Sequence, residues 1–233
     1  MIIRSVRQAL GMLACIAILT LNSGTVFAAE PKAADKALSA DILEIANAWA
    51  HIKFEEDDLT LQQKHILALA DRAAALMQKY PGRPEPVIWK GVLLSEGASM
   101  ANDDHSMLTA RSLAYQARDT LLEAEKMDPA ALDAGAPTSL GVLYYRVPSF
   151  PIAFGDTDLA RKYLEEAVRY SPNGMDANYF YGDFLYNEKD YAGARRVWQH
   201  ALTIPVNSSR PVWDKARRQV IQEDLAKLAA KGN

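Results

Sequence analysis

Residues 160–205 read ARKYLEEAVRYSPNGMDANYFYGDFLYNEKDYAGARRVWQHALTIP, and the spacing of the small residues in this run carries the architecture. Ala160, Leu164, Ala167 and Pro172 are separated by four, three and five residues. Ala194, Trp198 and Ala201 repeat the first two intervals, with Pro205 one residue early. Between the two sets lies Gly182, followed three residues later by Leu185. Two antiparallel helices pack closely only where their facing side chains are small, and large residues one turn away fill the rest. The proline then ends the second helix, because it disfavours helical backbone before it. The run therefore reads as the end of one helix pair and the whole of the next.

Working back, Ala117, Leu121, Ala124 and Pro129 show the four, three and five spacing again. Gly91 with Leu94, and Gly141 with Tyr144, repeat the glycine signal. Three agreeing registers make an internal repeat. The pattern resembles the tetratricopeptide repeat and implies an all-α, right-handed solenoid of antiparallel helix pairs. Each glycine is expected to face the alanine of its partner helix.

The glycine-to-alanine interval is 12 residues from Gly182, 19 from Gly141 and 26 from Gly91. The longest unit can take two extra turns on each helix, with Asn102-Asp103-Asp104 as the connection and Asp104 or Ser106 capping the second helix. The middle unit cannot, because its extra residues include Pro148 and Pro151. A loop from Val147 to Asp156 is predicted there. Upstream, Ile42, Ile45, Ala46 and Trp49 mark a helical face, and Thr60 with Gln63 matches a capping box. Helix pairs are thus expected near 41–81, 84–131, 134–174 and 175–208, in a domain spanning 41–231. Ala50 stands where the first pair would have its glycine. A helix over 211–231, with Trp213, Ala216, Val220 and Leu228 near one face, reads as the cap that solenoids need over their last repeat. No stretch alternates with period two for long, so no sheet is expected.

At the start, Arg4 and Arg7 precede an apolar run from Ala9 to Leu21 and small residues ending at Ala28. This predicts a secretory signal peptide over 1–28, cleavage before Ala29, and a periplasmic protein. Cys15 stands in a run that only partly resembles a lipoprotein box, since apolar residues continue past it, so lipid anchoring is not expected. Residues 29–40 read as a flexible lead-in. Removing Arg4 and Arg7 takes the formal charge from −3 to −5. That balance argues against nucleic acid, which selects clustered lysine and arginine. Arg195-Arg196 and Arg217-Arg218 read as solvated helix faces.

The sequence offers no catalytic set. His51, His65, His105 and His200 stand far apart in no ligand spacing. No nucleophile elbow, phosphate-cradling glycine loop or dinucleotide fingerprint occurs. No enzyme activity, metal or cofactor is expected. Glu55-Glu56-Asp57-Asp58 and Asp103-Asp104 read as solvated turns.

In a tetratricopeptide array the first helix of each pair lines the concave face. The groove candidates are Ile88, Trp89, Val92, Thr138, Val142, Tyr145, Arg146, Tyr179, Phe180, Asp183 and Tyr186, an aromatic and apolar stripe. Trp89 and Phe180 can equally be core between neighbouring helices. The loop residues Pro148, Phe150, Pro151 and Phe154 form a second candidate, either a plug over the array's edge or a docking lip. Such a surface suits an apolar peptide segment or a hydrophobic small ligand.

Tyr144-Tyr145-Arg146-Val147-Pro148, Pro151, Phe154-Gly155-Asp156 and Asn178-Tyr179-Phe180-Tyr181-Gly182 resemble the T component associated with some tripartite periplasmic (TRAP) transporters. The resemblance is good over about 137–201. It implies a periplasmic helical-repeat protein that associates with a solute-binding subunit and holds a hydrophobic ligand. The alternative is a scaffold for envelope assembly without a small ligand.

Overall fold

The computed structural model describes residues 33–231, which form nine helices. The expected signal peptide, its expected cleavage site and Cys15 lie outside these residues. In order they are α1 (Ala33–Glu55), α2 (Leu59–Lys79), α3 (Pro84–Asp103), α4 (Met107–Met127), α5 (Ala131–Arg146), α6 (Thr157–Tyr170), α7 (Met175–Asn187), α8 (Tyr191–Thr203) and α9 (Pro211–Lys231). Among the described residues the sole β pairing is an isolated bridge between Ser149 and Gly155.

The pairs are antiparallel. A Cβ on Gly91 of α3 would meet Leu121 of α4, while one on Gly97, farther along α3, would meet Leu113, earlier in α4. The architecture is all-α and tetratricopeptide-like.

The expected glycine–alanine approach is seen at Gly141, where a Cβ would lie 3.3 Å from the Ala160 carbonyl oxygen, but the nearest atoms at all three glycines belong to residues one turn on. A Cβ on Gly91 would come within 2.5 Å of Leu121 Cγ, one on Gly141 within 2.5 Å of Leu164 Cγ, and one on Gly182 within 2.5 Å of Trp198 Cδ1. These are the large residues four positions beyond Ala117, Ala160 and Ala194. A helical side chain leans toward its own N-terminus, so it covers the surface one turn back. The alanine lets the backbones approach, and the leucine or tryptophan fills the glycine's hollow.

The lead-in is shorter than expected. Helix α1 starts at Ala33 rather than near Asp41, because Leu38 extends the Ile42, Ile45 and Trp49 stripe by a turn and is itself buried. Helix α2 is capped by Asp58, not Thr60: its carboxylate accepts from Thr60 N at 2.9 Å and Leu61 N at 3.1 Å. Gln62, not Gln63, turns inward and donates to the carbonyls of Ile52 (2.8 Å) and Glu56 (3.1 Å), at the otherwise unpaired end of α1.

The α3–α4 pair, at 20 and 21 residues, is longer than α5–α6, at 16 and 14. The loop over 147–156 packs back on α4 and α5, with Phe154 edge-on against Tyr115 of α4 and Tyr144 of α5. Gly155 is required there, since a side chain would collide with the Val147 carbonyl. Its N–H donates to Pro148 O at 2.9 Å, and Asp156 N donates to Tyr144 O at 2.8 Å. The Phe150–Pro151 peptide is cis.

Two features were not expected. Leu132, Asp133 and Ala134 all lie in the left-handed region, with φ of 50°, 55° and 60°. Such backbone costs roughly 1–2 kcal/mol per residue. It is held by Ala134, which is fully buried against Ala167 and Ala177, and by the Asp133–Arg210 ion pair at 3.7 Å. The second feature is α9. Ile221 and Leu228 do cover the last pair beside Trp198. Yet the start of α9 reaches across the array to α1, where Trp213 meets Trp49 at 4.8 Å. The array is closed on itself, and the cap is also a clasp.

Candidate functional site

The first helices of the pairs face inward, and α9 completes their circle. They surround a partly open cavity of about 100 Å³. Its wall takes Trp49 from α1, Trp89 and Val92 from α3, Thr138 and Val142 from α5, Phe180 from α7, and Trp213 with Arg217 from α9. Trp49, Trp89 and Trp213 form a triangle, with Trp89 5.8 Å from each of the other two rings. Such edge-on indoles fix a rigid, apolar wall.

Two arginines frame the wall. Arg210 lies 4.3 Å over the Trp213 ring and pairs with the buried Asp214 at 2.9 Å. Asp214 in turn accepts from Asn207 N at 2.6 Å. Arg217 is buried, donates from Nε to Asp176 Oδ1 at 2.5 Å, and lies over the rings of Tyr179 (4.2 Å) and Phe180 (4.9 Å). The reading of Arg217-Arg218 as a solvated face is therefore corrected: Arg218 also turns in, donating to the carbonyls of Leu202 and Ile204.

Three polar groups in this wall find no hydrogen-bond partner within the protein: the indole N–H of Trp49, the indole N–H of Trp89 and the Thr138 hydroxyl. An indole can only donate, so each seeks an acceptor. Leaving such a group buried and unpaired costs roughly 1–3 kcal/mol.

The structure splits the expected groove stripe into three parts. Ile88, Trp89, Val92, Thr138, Val142 and Phe180 line the cavity. Tyr145, Arg146 and Asp183 form a separate polar cleft with Asn187. Tyr179 and Tyr186 are packing residues beside Trp198, whose indole N–H donates to Tyr179 O at 3.0 Å. Of the loop patch, Phe154 is the plug, while Pro148, Phe150 and Pro151 stay exposed. Trp49, Trp213, Arg210 and Arg217 went unrecognised as site residues. The spacing of Arg210, Trp213 and Arg217 puts them on one helix face, a mixed aromatic and basic stripe that a bare cap does not need.

In the polar cleft, the Tyr145 hydroxyl donates to Asp183 and accepts from Arg146 Nε at 3.0 Å; Arg146 also reaches Asp183 at 2.8 Å. Burial, ahead of the neighbouring charges, holds the Tyr145 phenol well above its ordinary value of 10.0. Its stabilising contribution is thus complete below pH 10 and is lost as pH rises from there through the folded-state value. Stability should fall with pH in that alkaline window, and Tyr145→Phe should flatten the fall in a series of urea melts. Tyr144, Tyr163, Tyr179 and Tyr181 are also raised, chiefly by burial, so part of the slope should remain. An unchanged slope would mean that Tyr145 is not held neutral by the fold.

Among the described residues, no group of three or more His, Cys, Asp or Glu is placed to hold a metal ion. No described helix is long and apolar enough to cross a membrane.

No family model matches the chain, and no curated protein matches it. Among solved structures, the chain is similar to one described as the functional characterization of Pseudomonas aeruginosa pilF. The two are 18% identical, with 86% of this chain and 91% of that chain covered, at a TM-score of 0.34. A superposition that loose carries no argument, and the fold rests on the helix pairs above.

Proposed function

We propose that this protein is an exported, non-catalytic binding module, and that its site is the tryptophan-walled cavity. The observation that carries the reading is the convergence of five helices on one cavity whose wall holds three polar groups without partners. Stable cores bury apolar side chains against each other and leave few polar groups unmet. An occupant with an apolar body would fit this wall; the polar atoms of Trp49, Trp89 and Thr138 are closed off from the cavity space, so an acceptor oxygen would reach them only as those side chains turn. The cavity is smaller than the usual 300–1,000 Å³ of small-molecule pockets. It therefore suits one limited apolar group, either a small ligand or a side chain presented by a protein partner. An adaptor beside a periplasmic solute-binding subunit of a TRAP-type transporter is the role that best joins such a cavity to the sequence resemblance.

Val142 lines the cavity without being fully buried, so Val142→Phe should fill the space with little strain. The unfolding midpoint should stay level or rise. Native mass spectrometry of the protein purified from its own envelope should show a bound small mass or a stoichiometric partner on the parent chain. The Val142→Phe chain should lose it. The same adduct on both chains would remove the cavity from the mechanism, and a partner unaffected by the substitution would favour a scaffold.

A further inference from the structure

The antiparallel topology places the turn inside each helix pair on the same edge of the array. Along that edge a pattern repeats. After α1, Asp57-Asp58 is followed by Leu59 and Leu61, which are 69% and 44% exposed. After α3, Asp103-Asp104 is followed by Met107 and Leu108, 54% and 85% exposed. The third connection holds out Phe150 and Ile152, 88% and 60% exposed, from a loop pinned beneath by Phe154. Helix starts and loops seldom leave a pair of large apolar side chains in water, and three such pairs in succession on one edge, two at helix starts and one in a loop, mark an interaction surface.

The charges choose among its occupants. Residues 54–63 contain four carboxylates and no lysine or arginine, and residues 91–110 contain three carboxylates and none either. Of the nearby bases, His51 pairs with Glu55, His65 with Glu56 and Lys53 with Glu96, while Lys64 and Arg111 flank the two stretches and still leave each net acidic. By the loop, Arg118 lies over Phe154 and Arg146 pairs with Asp183. An edge with this balance repels an anionic lipid surface. It also repels a second copy of itself.

We propose that this edge is a docking surface for a protein segment that presents apolar side chains flanked by lysine or arginine. The apolar pairs receive the segment's apolar side chains, and the carboxylates between them steer and hold its basic ones. The surface is distinct from the tryptophan-walled cavity and stands on separate observations.

A dye-labelled amphipathic peptide of leucine and lysine, and its leucine and glutamate counterpart, serve as probes in fluorescence anisotropy with the full domain. The Leu/Lys peptide should bind, and more weakly as salt is raised; the Leu/Glu peptide should not. The paired change Leu108→Ser with Phe150→Ser should weaken binding about tenfold, as should Asp57→Asn with Asp103→Asn. Met127→Ser, on the opposite edge, should leave it unchanged; circular dichroism checks that each variant is folded. Equal binding of both peptides, or no loss in the edge variants, overturns the proposal. So does flotation of the protein with phosphatidylglycerol vesicles, or self-association that Leu108→Ser with Phe150→Ser abolishes.

Discussion

Trp198→Ala should destabilise the domain by about 3–5 kcal/mol, the range for removing a fully buried aromatic side chain. Trp198 is 1% exposed and packs on Tyr186. Its indole fills the hollow over Gly182 and bonds the Tyr179 carbonyl. The contact is reciprocal, which gives a sharper test. Gly182→Ala alone sets a Cβ against the Trp198 ring and should cost about 1–3 kcal/mol through overpacking. In the double variant the methyl enters space the ring has left, so its cost should fall clearly short of the sum. Urea midpoints of the two single variants and the double variant measure this. Strict additivity would mean that Gly182 and Trp198 are not partners, and the register of α7 on α8 would be wrong.

Arg217→Met should cost about 3 kcal/mol, the lower part of the range for breaking a buried ion pair, because Asp176 keeps some contact with solvent. The loss comes less from the missing attraction than from Asp176, left without its counter-ion between α7 and α9. Removing that charge too, in Arg217→Met with Asp176→Leu, should recover most of the stability, since an apolar pair of similar volume carries no desolvation cost. If the single change falls within about 0.5 kcal/mol of the parent, as surface changes usually do, Arg217 is solvated after all.

Much of the architecture was legible because it depends on local spacing. Gly91, Gly141 and Gly182, with their alanines and prolines, mark where helices touch and stop, and such marks survive in one sequence. The helix excess between Gly91 and Ala117 followed from the absence of breakers there, and the loop near Pro148 from their presence. What failed was set by distant partners. Leu132, Asp133 and Ala134 include no glycine or asparagine, so little local announces their left-handed turn; Ala167, Ala177 and Arg210 impose it. The groove was read as one stripe because counting from the glycine gives a face and not a neighbour. Near the ends of α5 and α7, Tyr145, Arg146 and Asp183 satisfy one another, and they leave the cavity to residues nearer the tryptophans. Arg217 looked solvated because an arginine pair usually is. Its burial follows only from the path that brings α9 beside Asp176.

That path also bears on how the chain acquires its structure. In an open array each unit leans on its neighbour, and folding can begin anywhere and spread. Here Trp49, near the beginning, rests on Trp213, near the end, and 163 residues separate them in the chain. Closing so large a loop costs entropy that local helix pairing does not, and long-range contacts of this kind slow folding. The central wall is complete only with the last helix in place, since α9 supplies Trp213 and Arg217 to it. Trp213 is the wall's last component in the chain, so the docking of α9 completes the packing that Trp49, Phe54 and Trp89 begin among themselves.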